Sequence, residues 1–148
     1  MIDLSLLRIM KYREEYFRIK SRVPNEALDP QTLALLDDFG VYFKRMPESA
    51  VIDVKSFLPV FRSQHPKLGA DTARAYEGII QSIEQDVPAE ERSGIMLSML
   101  ELRLGTDLAA ALHKWDEGNL PNIHETLRGI ADNFEKDADV KTLDYIRV

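Results

Sequence analysis

LALLDDFGVYFKRMPESAVIDVKSFLPVFR, residues 33–62, decides how this chain is read. Leu33, Leu36, Phe39, Tyr42 and Phe43 recur at helical intervals, and a second apolar set, Ile52, Val54, Phe57, Leu58, Val60 and Phe61, follows a break at Met46-Pro47-Glu48-Ser49. That is a helix, a corner and a helix. The aromatics Phe39, Tyr42, Phe43, Phe57, Phe61 and Tyr76 stand among aliphatic neighbours, which makes them core residues and not a base-stacking platform. Asp37 and Asp38 are adjacent, so on a helix they point roughly 100° apart and do not converge on one ligand; both are expected to face solvent. Pro59 sets the start of the second helix. With Asp53 as cap its ring would fall inside the helix at a cost of about 3 kcal/mol, so Ser56 is the expected cap and residues 51–54 are expected to be extended.

Upstream, Asp3 is placed to cap a first helix whose apolar face runs Leu4, Leu7, Ile9 or Met10, Tyr16, Phe17 and Ile19 and which stops before Pro24. Arg8, Lys11, Arg13, Arg18, Lys20 and Arg22 cluster there and read as a solvated helix face, with Glu14 and Arg18 as an i,i+4 pair. Asp29-Pro30 opens the helix of Leu33–Phe43, the carboxylate as cap and the proline at the first helical position. Pro47 disfavours helical geometry at Met46 and ends it. Beyond His65-Pro66 and Gly69, residues 71–86 form a helix with Ala73, Tyr76, Ile79, Ile80 and Ile83 inward. Gly78 weakens it by about 1 kcal/mol relative to alanine, so close helix packing is expected at that point.

Downstream, Pro88 to about Trp115 is the longest helix. Ile95, Met99, Leu102 and Ala109 mark one face, while Met96, Leu97, Leu100, Leu104, Leu108 and Leu112 spread well beyond it; such a helix is covered on several sides. Gly118 is the expected C-cap, Pro121 stands near the next helix start, and Ile123, Leu127, Ile130 and Phe134 form a narrow seam for one partner helix. The two helices make an αα-hairpin. More apolar surface is present than one partner helix covers, so Ile95, Met96, Met99, Leu100, Leu104, Leu108, Trp115, Ile123, Leu127, Ile130 and Phe134 are the candidate interface for self-association. Trp115, at the turn, is expected to pack on it or to anchor a partner. The tail EKDADVKTLDY reads as the beginning of a linker.

The expected architecture is therefore all-α, a compact bundle of about six helices with a C-terminal αα-hairpin: residues 1–87 globular, 88–136 hairpin, 137–148 linker. A chain of 148 residues with 45% hydrophobic and 30% charged content can bury a core without disulfides. It has no cysteine, which excludes thiol chemistry, cysteine-held zinc and iron–sulfur clusters. No apolar run reaches a membrane span, no signal peptide is expected, and the cytoplasm is the expected location. A net charge of −6 argues against coating nucleic acid. None of the seven glycines stands in a phosphate-binding loop. Of the three histidines, His65, His113 and His124, the last begins a zincin-like His124-Glu125, but Arg128 stands where the second histidine belongs. No catalytic, cofactor or metal residues are expected.

The order of elements resembles the N-terminal domain of DnaB-type replicative DNA helicases, in the form found in bacteriophages. The resemblance is carried by LLDDFGVYFKRMPESAVIDVKSFLPVF with its Ile52-Asp53-Val54 step, by Ala75-Tyr76-Glu77, and by the hairpin and acidic tail from Pro88 onward. It covers about Leu4 to Asp139. It implies a collar domain without catalysis, pairing with its own kind as dimers within a hexamer and receiving a primase or helicase loader, with DNA touched at most indirectly. ATP and magnesium would belong to a C-terminal motor domain absent from these residues. Two other readings stay open, a small all-α enzyme or ligand carrier with a site between helices, and a nucleic-acid-binding regulator using Arg8 to Arg22.

Overall fold

A computed structural model describes the backbone of residues 2–146 and the side chains of residues 3–138. The described residues hold seven α-helices and no strand, one helix more than expected. The chain divides into two compact units, Met1–Ser21 with Leu28–Val87, and Arg22–Ala27 with Pro88–Val148.

The first unit contains α1 (Ile2–Met10), α2 (Arg13–Ile19), α3 (Pro30–Arg45), α4 (Val54–Gln64) and α5 (Ala70–Ser82). Its core is the aromatic set read from residues 33–62. Phe39, Tyr42, Phe43, Phe57 and Phe61 are all buried, and Phe57 meets Phe39 edge-on at a centroid distance of 5.3 Å and Tyr42 at 6.0 Å, arrangements aromatic rings favour. Leu6, Leu7, Ile9 and Met10 bring α1 into the same interior.

The expected single N-terminal helix is two. At Tyr12 the backbone is extended (φ −85°, ψ 128°) and forms an isolated antiparallel bridge with Val51. Arg13 N–H donates to the Ala50 carbonyl at 2.9 Å and Ile52 N–H to that of Lys11 at 2.8 Å. A helix running through would leave those groups of the corner unpaired.

This break positions the cations, and they are not a solvated face. Lys11 is 4% exposed; its Nζ donates to the carbonyls of Ile83, Glu84 and Gln85 at 2.8, 3.0 and 3.2 Å and lies 2.8 Å from Asp86 Oδ1. Arg8 Nε donates to the Ser82 carbonyl at 2.9 Å. Arg13 donates to the carbonyls of Phe43, Met46 and Ser49 at 2.8, 2.6 and 2.6 Å. Helix C-termini leave carbonyls unpaired and carry partial negative charge, and these side chains close the ends of α5 and α3. With its last carbonyls held in this way, α5 stops at Ser82 instead of Asp86. Arg18 pairs with Glu15 and not with Glu14.

Two caps are exchanged relative to the expectations. Asp3 lies inside the first turn of α1 and is buried; its Oδ2 accepts from the Asp29 N–H at 2.9 Å and the Thr32 hydroxyl at 2.8 Å, so it closes the start of α3. Asp29 holds the cap position of α3, with Pro30 first in the helix, but its side chain makes no cap hydrogen bond. In α4 the cap is Asp53, not Ser56. Its carboxylate accepts from the backbone N–H and the hydroxyl of Ser56 at 3.2 and 2.8 Å, and residues 54–59 are helical with Pro59 inside. The proline is tolerated because it and Lys55, whose carbonyl it leaves unpaired, are both exposed. Val54, Phe57, Val60 and Phe61 are buried in return.

Three further positions differ. Asp38 is buried, not solvent-facing, with Oδ2 2.7 Å from His65 Nε2; desolvation raises its pKa, the His65 contact opposing that. Phe17 is 61% exposed, lying against Tyr16, Phe43 and the Arg13 guanidinium. A Cβ on Gly78 would meet nothing within 4 Å, so no close packing explains this glycine. Gly40 is the opposite case, since a Cβ there would lie 2.7 Å from the Tyr16 hydroxyl, which donates to the Leu36 carbonyl at 3.0 Å.

Candidate interaction surface on the helical hairpin

The second unit contains α6 (Ala89–Asp116) and α7 (Ile123–Ile146), packed along each other, together with the segment Arg22–Ala27. Glu90 and Glu91 in the first turn of α6, and His113 and Lys114 in its last, complement the helix dipole. Gly118 ends the helix as expected. Its φ is +79°, Gly118 N–H donates to the Trp115 carbonyl at 3.0 Å and Asn119 N–H to that of Lys114 at 2.9 Å, the paired bonds of a Schellman cap. Residues 137–146, read as a polar tail, continue α7. Neither proline nor glycine interrupts the chain after Gly129, so no strong helix breaker stands there. Residues 147–148 lie outside the described residues. Arg22 Nε and Asp137 Oδ1 are 3.1 Å apart.

The eleven candidate interface residues separate into three groups. Met96, Met99 and Leu100 are buried within the single chain, which removes them from any free surface. Ile95, Leu104, Leu108, Ile123, Leu127, Ile130 and Phe134 are half-buried. Trp115 is 54% exposed, so it does not pack down on the turn.

The residues left most open on α6 were read otherwise. Leu102, read on one face with Ile95, Met99 and Ala109, is 39% exposed, and Leu112, read among the residues spreading beyond that face, is 50% exposed. With exposed Gly105 and Ala109 they form a stripe at spacings of three, four and three, within roughly 80° of the helix circumference, and Trp115 flanks it. A Cβ on Gly105 would meet nothing within 4 Å, so the chain itself makes no use of the missing side chain. The signal was visible in the sequence as Leu102-x-x-Gly105-x-x-x-Ala109-x-x-Leu112, but an all-round apolar helix does not disclose which stripe its own chain covers.

Several polar groups on the hairpin pair locally along one helix. Arg103 and Asp107 approach to 3.4 Å, His113 and Glu117 to 3.1 Å, and Arg128 lies 3.0 Å from His124. Among the described residues no group of three or more His, Asp or Glu is arranged to hold a metal ion, and no helix is long and apolar enough to cross a membrane. What the hairpin leaves open is the apolar stripe. No family model matches this chain, and neither a curated protein nor a solved structure matches it.

Proposed function

We propose that this chain is a protein-interaction domain that associates with copies of itself through the exposed face of α6, in the manner of the collar of a DnaB-type replicative helicase, and that it carries out no catalysis of its own. The observation that carries the reading is the stripe Leu102, Gly105, Ala109 and Leu112 with Trp115, left open on a helix whose opposite side is buried. Exposed apolar surface of this kind marks a contact with another chain. The stripe spans only about 15 Å of helix, less than a standard interface needs on its own, so the association is weak for one hairpin pair and gains from assembly into a ring. In the helicase reading the same domain receives a primase or loader, and ATP and magnesium belong to a separate motor domain.

The nucleic-acid reading loses its supporting residues. Arg8, Lys11 and Arg13 are engaged with carbonyls, and Arg18, Lys20 and Arg22 pair with Glu15, Asp37 and Asp137. None of the six is left as an uncommitted phosphate ligand.

Sedimentation velocity across a concentration series tests self-association. The wild-type chain shows a mass that rises with concentration, and Leu112→Glu stays monomeric with unchanged helicity; a wild-type chain that remains strictly monomeric at tens of micromolar overturns the proposal. The helicase assignment stands or falls separately, on whether the reading frame beyond Val148 encodes a P-loop ATPase.

A further inference from the structure

A cleft of about 390 Å³ opens in the first unit between α1, the start of α3 and α5, a volume within the range of about 300–1,000 Å³ typical of small-ligand sites. Leu4, Leu7, Leu35 and Ile79 form its apolar walls. The carboxylate of Asp3 is its polar end. Asp3 is nine-tenths buried, and only Oδ2 is occupied, by the Asp29 N–H and the Thr32 hydroxyl. Oδ1 has no hydrogen-bond partner among the described residues. Oδ1 is not among the side-chain atoms both buried and unpaired, so it stays open to the cleft and able to accept a hydrogen bond from a donor there.

Two further observations point the same way. The α5 side of the cleft is Ala75, Gly78 and Ser82; Gly78 weakens a helix interior relative to alanine, and nothing packs close enough to require it. Its absent side chain has one visible consequence, which is to keep the cleft open. The charge lining the cleft is of one sign. Asp29, whose carboxylate makes no cap bond, stands with Asp3, and no Lys, Arg or His lines the space; Arg8 reaches the Ser82 carbonyl but is not part of the lining.

We propose that this cleft binds a small protonated amine with an apolar body, the ammonium donating to Asp3 Oδ1 with Asp29 nearby, and the aliphatic or aryl part lying between Leu4, Leu7, Leu35 and Ile79. An anion is disfavoured by the carboxylates, and a neutral apolar molecule leaves Oδ1 unpaired. The site lies wholly in the first unit and is independent of self-association through α6.

The test uses the whole chain, with n-hexylamine, n-hexanol and n-hexanoate as probes in amide NMR titrations. Hexylamine is expected to give saturable shifts centred on Leu4, Leu7, Leu35 and Gly78, with hexanol about tenfold weaker, as befits the loss of a charge-assisted hydrogen bond, and no binding of hexanoate. Asp29→Asn, whose side chain caps nothing, lowers hexylamine affinity severalfold at unchanged thermal stability. Gly78→Leu fills the cleft and abolishes binding while leaving the fold intact. Absence of saturable hexylamine shifts, hexanoate binding as tight as hexylamine, or full binding by Gly78→Leu each overturns the proposal.

Discussion

The two units bury their residues in different ways, and the proposed self-association draws on that difference. In the first, large aromatics fill the interior and long cationic side chains close the helix ends, so few polar groups are left without partners. In the second, a 28-residue helix buries only Met96, Met99, Leu100 and Ala111 and leaves two leucines and a tryptophan open. Phe17 apart, the first unit leaves none of its described large apolar side chains open, whereas α6 leaves several open over successive turns.

The sharpest way to break this contrast is to make the same kind of truncation in both units. Phe57→Ala removes a fully buried ring with two aromatic neighbours and is expected to cost about 4 kcal/mol. Trp115→Ala, although it removes a larger side chain, should change stability by less than about 0.5 kcal/mol, as exposed positions do. Urea denaturation measures both, and equal losses would erase the distinction.

Next in size is Lys11→Met, which keeps the length of the side chain and removes its ammonium. The carbonyls of Ile83, Glu84 and Gln85 and the carboxylate of Asp86 lose their shared partner, for an expected loss of about 3 kcal/mol. Removing Arg103 from its exposed pair on α6 should cost under about 0.5 kcal/mol. Thermal melts of the two variants make the comparison.

Gly40→Ala adds one methyl group against the Tyr16 hydroxyl and should cost about 1–3 kcal/mol as local overpacking. In a Tyr16→Phe background the obstructing oxygen is gone, and the double-mutant cycle should return most of that cost. On α6, Gly105→Ala meets no neighbour and should stabilise the helix by up to about 1 kcal/mol.

The smallest effect is a pH dependence. Desolvation raises the Asp38 pKa above its ordinary value of 3.8, so the folded chain holds that proton more tightly than the unfolded chain. The resulting stabilisation is complete below 3.8 and is lost as pH rises through the raised folded value. Stability of wild type relative to Asp38→Asn should therefore fall with rising pH across that window; a flat difference would remove the assignment.

Helix starts and stops were legible wherever proline or glycine sets them locally, as at Pro30, Met46-Pro47 and Gly118. The aromatic core was legible from its spacing. The cation staples were not, because Lys11 finds its partners more than seventy positions away and its immediate neighbours make it look solvated. Asp53 and Ser56 could not be told apart as caps without knowing that Pro59 and Lys55 face water. The face of α6 left open depends on which of its sides the rest of the chain covers, and helical periodicity contains no record of that. The Asp3 cleft was invisible for a related reason: its lining comes from three helices, and Asp3 has the sequence signature of an ordinary cap.

The assignment of Arg22–Ala27 to the second unit, with first-unit residues on both sides of it, has a consequence for synthesis. At roughly 5–20 residues per second of translation, this short segment leaves the ribosome several seconds before the first turn of α6 exists. Neither unit can be completed as an uninterrupted length of nascent chain, and no single proteolytic cut separates them. A fragment beginning at Pro88 would lack part of its own unit, so the hairpin should be studied within the whole chain.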